Sequence, residues 1–250
     1  MSNNLRVALV GAAGRMGQAI VEVAKSEGVE VVARIDLGDQ LVFADGDVTI
    51  DFSHADTTAS ICEVAIKSKT PLVIGTTGHS AKQRDDIVAA SKRIPVVLAS
   101  NFSVGVNALF ALTENAAKIL GDDFDLEIVE AHHRMKKDAP SGTAKTLAEI
   151  LQRARQTKTL RHGREGIVGE RGKSEIGIHS VRGGDVVGDH TVIFAGQGER
   201  LELTHRASSR ETFARGAIRA ARWVIGKSPG LYDMRDVLGL RPEDGMTKHE

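Results

Sequence analysis

VALVGAAGRMGQAI, Val7 to Ile20, decides how the rest of the chain is read. The run from Leu5 to Val10 is short, apolar and rich in branched residues, as a buried parallel strand is. From Arg15 to Lys25, Met16, Ile20 and Val23 recur at helical spacing. Gly11, Gly14 and Gly17 stand where the two patterns meet. The spacing is G-x-x-G-x-x-G, not the commoner G-x-G-x-x-G, but the physics is similar. The first glycine permits a tight turn, small residues let backbone N–H groups approach a pyrophosphate, and the helix N-terminus favours its charge. Gly17 permits close helix–strand packing. A glycine triplet alone is weak evidence, since a turn with no ligand looks the same. Placed after a strand and before a helix, it points to a dinucleotide site.

The alternation continues outward. Val29–Ile35, 47–53, 71–77 and 95–101 read as strands, and 55–68 and 80–93 as helices, so a parallel sheet of βαβ units is expected. The second strand ends at Asp36, nineteen positions after Gly17. An acid there accepts hydrogen bonds from ribose hydroxyls and disfavours a 2′-phosphate. Leu37 and Gly38 follow with no arginine beside it, although Arg34 stands two residues earlier, so NADH is favoured over NADPH. The plain alternative for Asp36 is a solvated loop acid. Gly75-Thr76-Thr77-Gly78 and Ala99-Ser100-Asn101-Phe102 leave strands at the edge where open α/β sheets bind ligands.

After Phe102 the pattern changes. Residues 106–120 read as a long helix, 125–131 as a strand and 144–154 as an amphipathic helix. Residues 174–207 alternate and are spotted with glycine. Gly183-Gly184 and Gly196-Gln197-Gly198 look like hairpin turns of an antiparallel sheet. Residues 211–225 return to a helix. The expected architecture is α/β: an N-terminal Rossmann-like parallel-sheet domain over 1–103 and 213–250, and an α+β domain over 104–212 with a mixed, largely antiparallel sheet.

Composition narrows the function. Lysine plus arginine balance aspartate plus glutamate at 33 each, and aromatics are 4%, so neither a basic groove nor a stacking platform for nucleic acid is expected. No apolar run approaches the roughly 20 residues that span a bilayer. A single cysteine, Cys62, excludes an internal disulfide. With no signal-peptide layout at the start, a cytoplasmic protein is expected.

EAHHRMKKDAPSGTA, Glu130 to Ala144, gathers the chemistry. On a continuing strand His132 shares a face with Leu126, Ile128 and Glu130, while His133 points away, so both reach one site only if the backbone bends. Ser141 is a plausible N-cap, and the N–H groups around Gly142 and Thr143 would then cradle a carboxylate. Lys136 and one histidine suit a small anionic substrate, and the other histidine can move a proton. A metal site is the weaker reading, because adjacent histidines rarely share one zinc and no H-E-x-x-H is present. A solvated polar loop is the bland one.

These residues carry a resemblance. E-x-x-E-x-H-x-x-x-K-x-D-x-P-S-G-T-A runs complete from Glu127 to Ala144, and VGAAGRMG, DFS, GTTG, ASNFSVGVN, RGGDVVGDHTV, GERLELTHRASSR and GLYDMRDVL extend it along essentially the whole chain. The chain resembles the 4-hydroxy-tetrahydrodipicolinate reductase family, also called dihydrodipicolinate reductase, of lysine and diaminopimelate biosynthesis. The resemblance implies an NAD(P)H-dependent reductase with a dianionic substrate. His132 would be the acid/base, and Lys136 a second proton donor or carboxylate partner. His133, Gly142 and Thr143 would bind substrate. Gly11, Ala12, Ala13, Gly14, Arg15, Met16, Asp36, Gly75, Thr76, Thr77, Ala99, Ser100, Asn101 and Phe102 would line the cofactor. It also implies a homotetramer joined through the sheet of the second domain. Family members that use NADPH well often carry arginine where this chain has Leu37. Two rival readings are another dehydrogenase on the same scaffold, acting on an amino acid or semialdehyde, and a nucleotide sensor without turnover.

Overall fold

The computed structural model describes residues 4–43 and 45–241, and these form two compact units. One comprises the chain up to Val104 together with the chain from Arg210 onward; the other is Gly105–Ser209. Residues 242–250, assigned above to the first domain, lie outside the described residues.

The first unit opens with β1 (Leu5–Val10), α1 (Arg15–Ala24) and β2 (Val29–Ile35), a βαβ unit in which β1 and β2 pair in parallel. Then follow β3 (Val48–Asp51), α2 (Thr58–Ser68), β4 (Leu72–Ile74), α3 (Ala81–Ser91) and β5 (Pro95–Leu98). Val48 to Asp51 and Leu72 to Ile74 are buried throughout, so helices cover both faces of these strands. α3 starts where Ser80 and Gln83 form a reciprocal capping box.

The second unit contains α4 (Val104–Leu120), which opens at the boundary, then β6 (Asp125–His132), α5 (Gly142–Arg155), β7 (Leu160–His162), β8 (Ile176–Arg182), β9 (Gly188–Ala195) and β10 (Arg200–Ala207). Burial alternates without a break along β6 and β9. The buried face takes Leu126, Ile128, Ile178, Val192 and Phe194 into one core with Leu147, Ala148 and Leu151 of α5. Each such large apolar side chain contributes about 1.5–3 kcal/mol.

The chain returns to the first unit through α6 (Glu211–Val224), β11 (Gly230–Tyr232) and α7 (Met234–Leu238). α6 adds Ala214, Ala217, Ile218, Ala221 and Val224 to the core that holds Ile20 and Val23 of α1. The finished sheet runs β11-β5-β4-β3-β1-β2, wholly parallel. Strand order reverses between β1 and β3, the place where such sheets bind ligands. β11, at the sheet's edge, has no counterpart in the sequence reading.

The second sheet is mixed, with order β10-β9-β6-β8-β7. β9 pairs antiparallel with β6 and β10, whereas β8 runs parallel to β6 and β7. The turn at Gly196–Gly198 does join neighbouring antiparallel strands. Gly183-Gly184 does not close a hairpin, because β6 lies between β8 and β9. Its glycines instead serve a wider connection, in which Gly183 and Gly184 bond to the chain around His132 and Arg134.

Close backbone approach explains the third glycine of the opening stretch. A Cβ on Gly17 would lie 2.2 Å from the Gly11 carbonyl oxygen and 2.5 Å from that of Ala12. Both obstacles are backbone and cannot swing aside. Gly17→Ala is therefore expected to cost about 1–3 kcal/mol through overpacking. Urea denaturation measures it, and a wild-type midpoint would contradict the packing role.

Candidate active site

The strand ends of the first unit bring the sequence-marked loops to one edge. Gly11, at φ +81°, turns the chain out of β1, and its N–H donates to the Ile35 carbonyl. A Cβ there would sit 2.5 Å from the Phe52 carbonyl oxygen, beyond the end of β3, so only glycine fits between the two strands. Gly14 caps α1 in an extended conformation without a side-chain bond. Arg15 and Met16 belong to the helix's first turn, whose N–H groups have no intrahelical acceptor. Gly75 follows β4 and donates its N–H to Asp51 O; a Cβ there would meet the Phe52 ring at 2.1 Å. Thr76 is buried and Thr77 exposed. Ala99 continues from β5 with its N–H on Ile74 O, Ser100 is exposed, and the Asn101 side chain accepts the Ser103 N–H. Phe102 is buried edge-on against Phe52.

Asp36 is more than a solvated acid. Both its carboxylate oxygens accept the Ala13 N–H, at 2.9 and 3.0 Å. It therefore orders the middle of the glycine loop, a role sequence reasoning did not find. Leu37 beside it is 98% exposed.

The second unit gathers a separate polar cluster at the N-terminal end of α5. The alternation of β6 that buries Leu126 and Ile128 continues through Glu130 to His132. Strand pairing then fixes what faces them. Glu130 stands opposite His190 of β9 and Ser180 of β8, and His132 opposite Arg182. His132 Nδ1 lies 2.5 Å from Glu130 Oε2. Arg182 donates to both Glu130 oxygens, at 2.9 and 2.8 Å. The Ser141 N–H donates to Glu130 Oε1 at 3.1 Å. Ser141 caps α5 as expected, its Oγ accepting the Ala144 N–H, and the same oxygen meets His190 Nε2 at 3.0 Å. His132 and His190 rings contact edge to face, 5.1 Å between centroids.

Burial and charge oppose one another here. Burial alone would push the Glu130 carboxyl up, but bonds from Arg182, Ser180 and His132 outweigh it and hold the group at about 2. Glu130 is thus an anion with no exposed side-chain surface, which demands close cationic partners. His132 is lowered from its ordinary value, since burial outweighs the attraction of Glu130. His190 falls to about 4, through burial first and then repulsion from His132. It stays neutral near pH 7.

β6 ends at His132, and the alternation is unbroken up to that point. The turn comes just after: the His133 N–H donates to Val186 O, and the Lys136 N–H to His133 O. The Lys136 side chain is partly buried, and its ammonium pairs with Asp138 Oδ1 at 2.9 Å. Its charge is felt at His132. Gly142 and Thr143 are the first two residues of α5. Arg182 and His190 were missed from sequence. The available signal was a polar residue at positions where the alternation of β8 and β9 calls for an apolar one. Among the described residues no three His, Cys, Asp or Glu side chains converge as a metal site would, and no helix is long and apolar enough to cross a membrane.

Comparison with known proteins adds the family. The model for the dihydrodipicolinate reductase N-terminus matches residues 5–102, and that for the C-terminus matches 105–238. A 4-hydroxy-tetrahydrodipicolinate reductase of Akkermansia muciniphila is 57% identical, over 94% of this chain and 98% of its own length. One from Thiobacillus denitrificans is 48% identical, over 95% and 100%. Among solved structures, a dipicolinate-bound dihydrodipicolinate reductase from Paenisporosarcina sp. TG-14 superposes with a TM-score of 0.75 at 27% identity, covering 92% of this chain and 97% of the other.

The polar cluster makes stability depend on pH. His190 binds its proton at about 4 in the fold against an ordinary 6.5, so the unfolded chain holds more protons in that window. Stability therefore falls as pH drops from 6.5 to 4, by on the order of 3 kcal/mol. Glu130, at about 2 against an ordinary 4.5, adds a further loss as pH falls from 4.5 towards 2. His190→Gln removes the first contribution and should flatten melting temperature against pH above 4.5. An unchanged slope would refute the assignment.

Proposed function

This chain belongs to the dihydrodipicolinate reductase family, and we propose that it reduces 4-hydroxy-tetrahydrodipicolinate to tetrahydrodipicolinate with a reduced nicotinamide nucleotide, in lysine and diaminopimelate biosynthesis. The observation that carries the reading is that one carboxylate, Glu130, bonds both to His132 and to Ser141, the residue that caps the N-terminus of α5. A proton-transfer group is thereby placed beside a helix N-terminus, the arrangement an anionic substrate that needs a proton requires.

The first unit fits a dinucleotide. Gly11 and Gly17 sit where any Cβ would strike backbone, and the first turn of α1 lacks a side-chain cap. Gly11, Ala12, Ala13 and Gly14, with Arg15 and Met16, would hold the pyrophosphate. Asp36 would take the adenine ribose hydroxyls, and Gly75 to Thr77 with Ala99 to Phe102 would flank the nicotinamide. When bound, the reduced nicotinamide would supply the hydride for C4 of the unsaturated, conjugated-imine ring that forms once the 4-hydroxy group has left as water.

The remaining chemistry belongs to the chain's own side chains. The substrate is a dianion. Gly142 and Thr143, in the first turn of α5, would bind one carboxylate, and Lys136 would neutralise charge there, leaving Asp138 to do so. His133 would bind beside them. The enamine left after reduction needs a proton, and His132 supplies it. Burial lowers its proton affinity, and the negative charge of a dianionic substrate beside it would raise it again. A homotetramer through the second sheet is part of the same proposal. It is supported by Val181 and Leu201, apolar side chains 52% and 39% exposed on that sheet. A cytoplasmic location is consistent with the single buried cysteine.

Two measurements test this. His132→Gln should lower kcat by about 10²- to 10⁴-fold with the substrate made from pyruvate and aspartate semialdehyde. Wild-type turnover would remove His132 from the proton step, and no oxidation of reduced nicotinamide by the wild type would remove the substrate assignment. Asp36 followed by exposed Leu37 favours NADH. kcat/KM with NADH should exceed that with NADPH by about 10-fold or more, the discrimination expected when a buried or ordered carboxylate meets a phosphate. The reverse preference would overturn the reading of Asp36.

A further inference from the structure

We propose that Glu130 is the positioning residue of the proton step: its carboxylate takes the Nδ1–H of His132 and leaves Nε2 as the nitrogen that exchanges a proton with the substrate. The inference rests on His132 being the proton donor, and it names what sets that donor's tautomer and direction.

Three features of the site point to it. First, Glu130 has no freedom to serve otherwise. Arg182 grips both oxygens, the Ser141 N–H takes Oε1, and Oε2 faces His132 Nδ1 at 2.5 Å. An ionised carboxylate only accepts, so Nδ1 must carry the proton. Second, the bonds to Glu130 come from three separate places in the chain, β6, β8 and the α5 cap, and the cap residue Ser141 is itself bonded through its Oγ to His190 of β9. A group held from three directions keeps its orientation through a catalytic cycle. Third, the space beside Nε2 is kept clear. A Cβ at Gly188, the first residue of β9, would come within 3.1 Å of that nitrogen. Glycine at 188 thus leaves room at the end of the imidazole that the carboxylate does not occupy.

Charge follows geometry. The groups that act on His132 are Glu130 on its own strand, Lys136 in the following turn, Arg182 of β8 and His190 of β9. Glu130 alone among these favours the imidazolium. Protonated His132 is the donor, so kcat is high below its pKa in the substrate complex and falls as pH rises through it. Removing the carboxylate's charge lowers that pKa and moves the falling limb to lower pH.

The test pairs two substitutions with a measurement on the wild-type chain. In Glu130→Gln, Arg182 claims the amide oxygen and the amide NH₂ faces Nδ1, enforcing the opposite tautomer. We expect kcat to drop about 10²-fold, KM values to stay within about 3-fold, and the falling limb to move down by about one pH unit. Glu130→Asp keeps the charge at the cost of shape and should retain more turnover than the isosteric Gln. A merely structural role predicts the reverse order. Nitrogen-15 NMR of the full wild-type chain should show the neutral His132 protonated at Nδ1, a result that does not depend on any variant folding. Protonation at Nε2 would overturn the proposal. So would wild-type turnover and pH profile in Glu130→Gln while His132→Gln is impaired. Wild-type turnover in His132→Gln would instead bring down the proton-donor reading itself, with the NMR result still reporting on the tautomer.

Discussion

A carboxylate stripped of water has to be neutralised where it lies, and that constraint organises the second unit around Glu130. Its side chain has no exposed surface, yet it stays ionised because Arg182 binds both oxygens. An unpaired anion at this depth would cost several kcal/mol, so the strands that carry the partners cannot slip. A one-residue shift of β8 would turn Arg182 to the opposite face, and the same shift of β9 would turn away His190. Register in the middle of the sheet is thus enforced twice, by apolar alternation at one end of β6 and by charge at the other. The start of α5 is tied to the same group through the Ser141 N–H.

The first unit works under a steric constraint in place of an electrostatic one. Gly11 lets β1 and the chain after β3 approach, Gly17 lets α1 lie on the loop that precedes it, and Gly216 lets α6 press against the Phe102 carbonyl, where a Cβ would be 1.8 Å away. The polar element of that edge is modest by comparison. Asp36 holds one amide of the loop, on a side open to water.

Much of this architecture was legible in the chain because it is written in periodicity. Leu5–Val10 and Met16, Ile20 and Val23 announce a strand and a helix, and their burial follows. Alternation in β6 placed Glu130 and His132 on the buried face together. Periodicity carries no information about which strands are neighbours, however. Gly183-Gly184 has the chemistry of a tight hairpin, yet β8 runs parallel to β6 and leaves β9 on the far side. The same gap hid Arg182 and His190, whose meaning exists only once β8 and β9 flank β6. Asp36 was legible as an acid after β2, but its bond to Ala13 depends on a loop conformation that no spacing specifies. β11 is only Gly230–Tyr232, too short for alternation to register.

The return of the chain through α6 has a consequence for how the protein is made. The core of the first unit includes Ala214, Ala217, Ile218, Ala221 and Val224, and the outermost strand of its sheet is β11. A ribosome delivers these residues only after all of Gly105–Ser209 has been synthesised. Until then β1 to β5 leave apolar surface bare on the face that α6 will cover, while the second unit already has every strand and helix it needs. Completion of the first unit is therefore the late event in biogenesis, although its glycine loop is among the first residues to emerge.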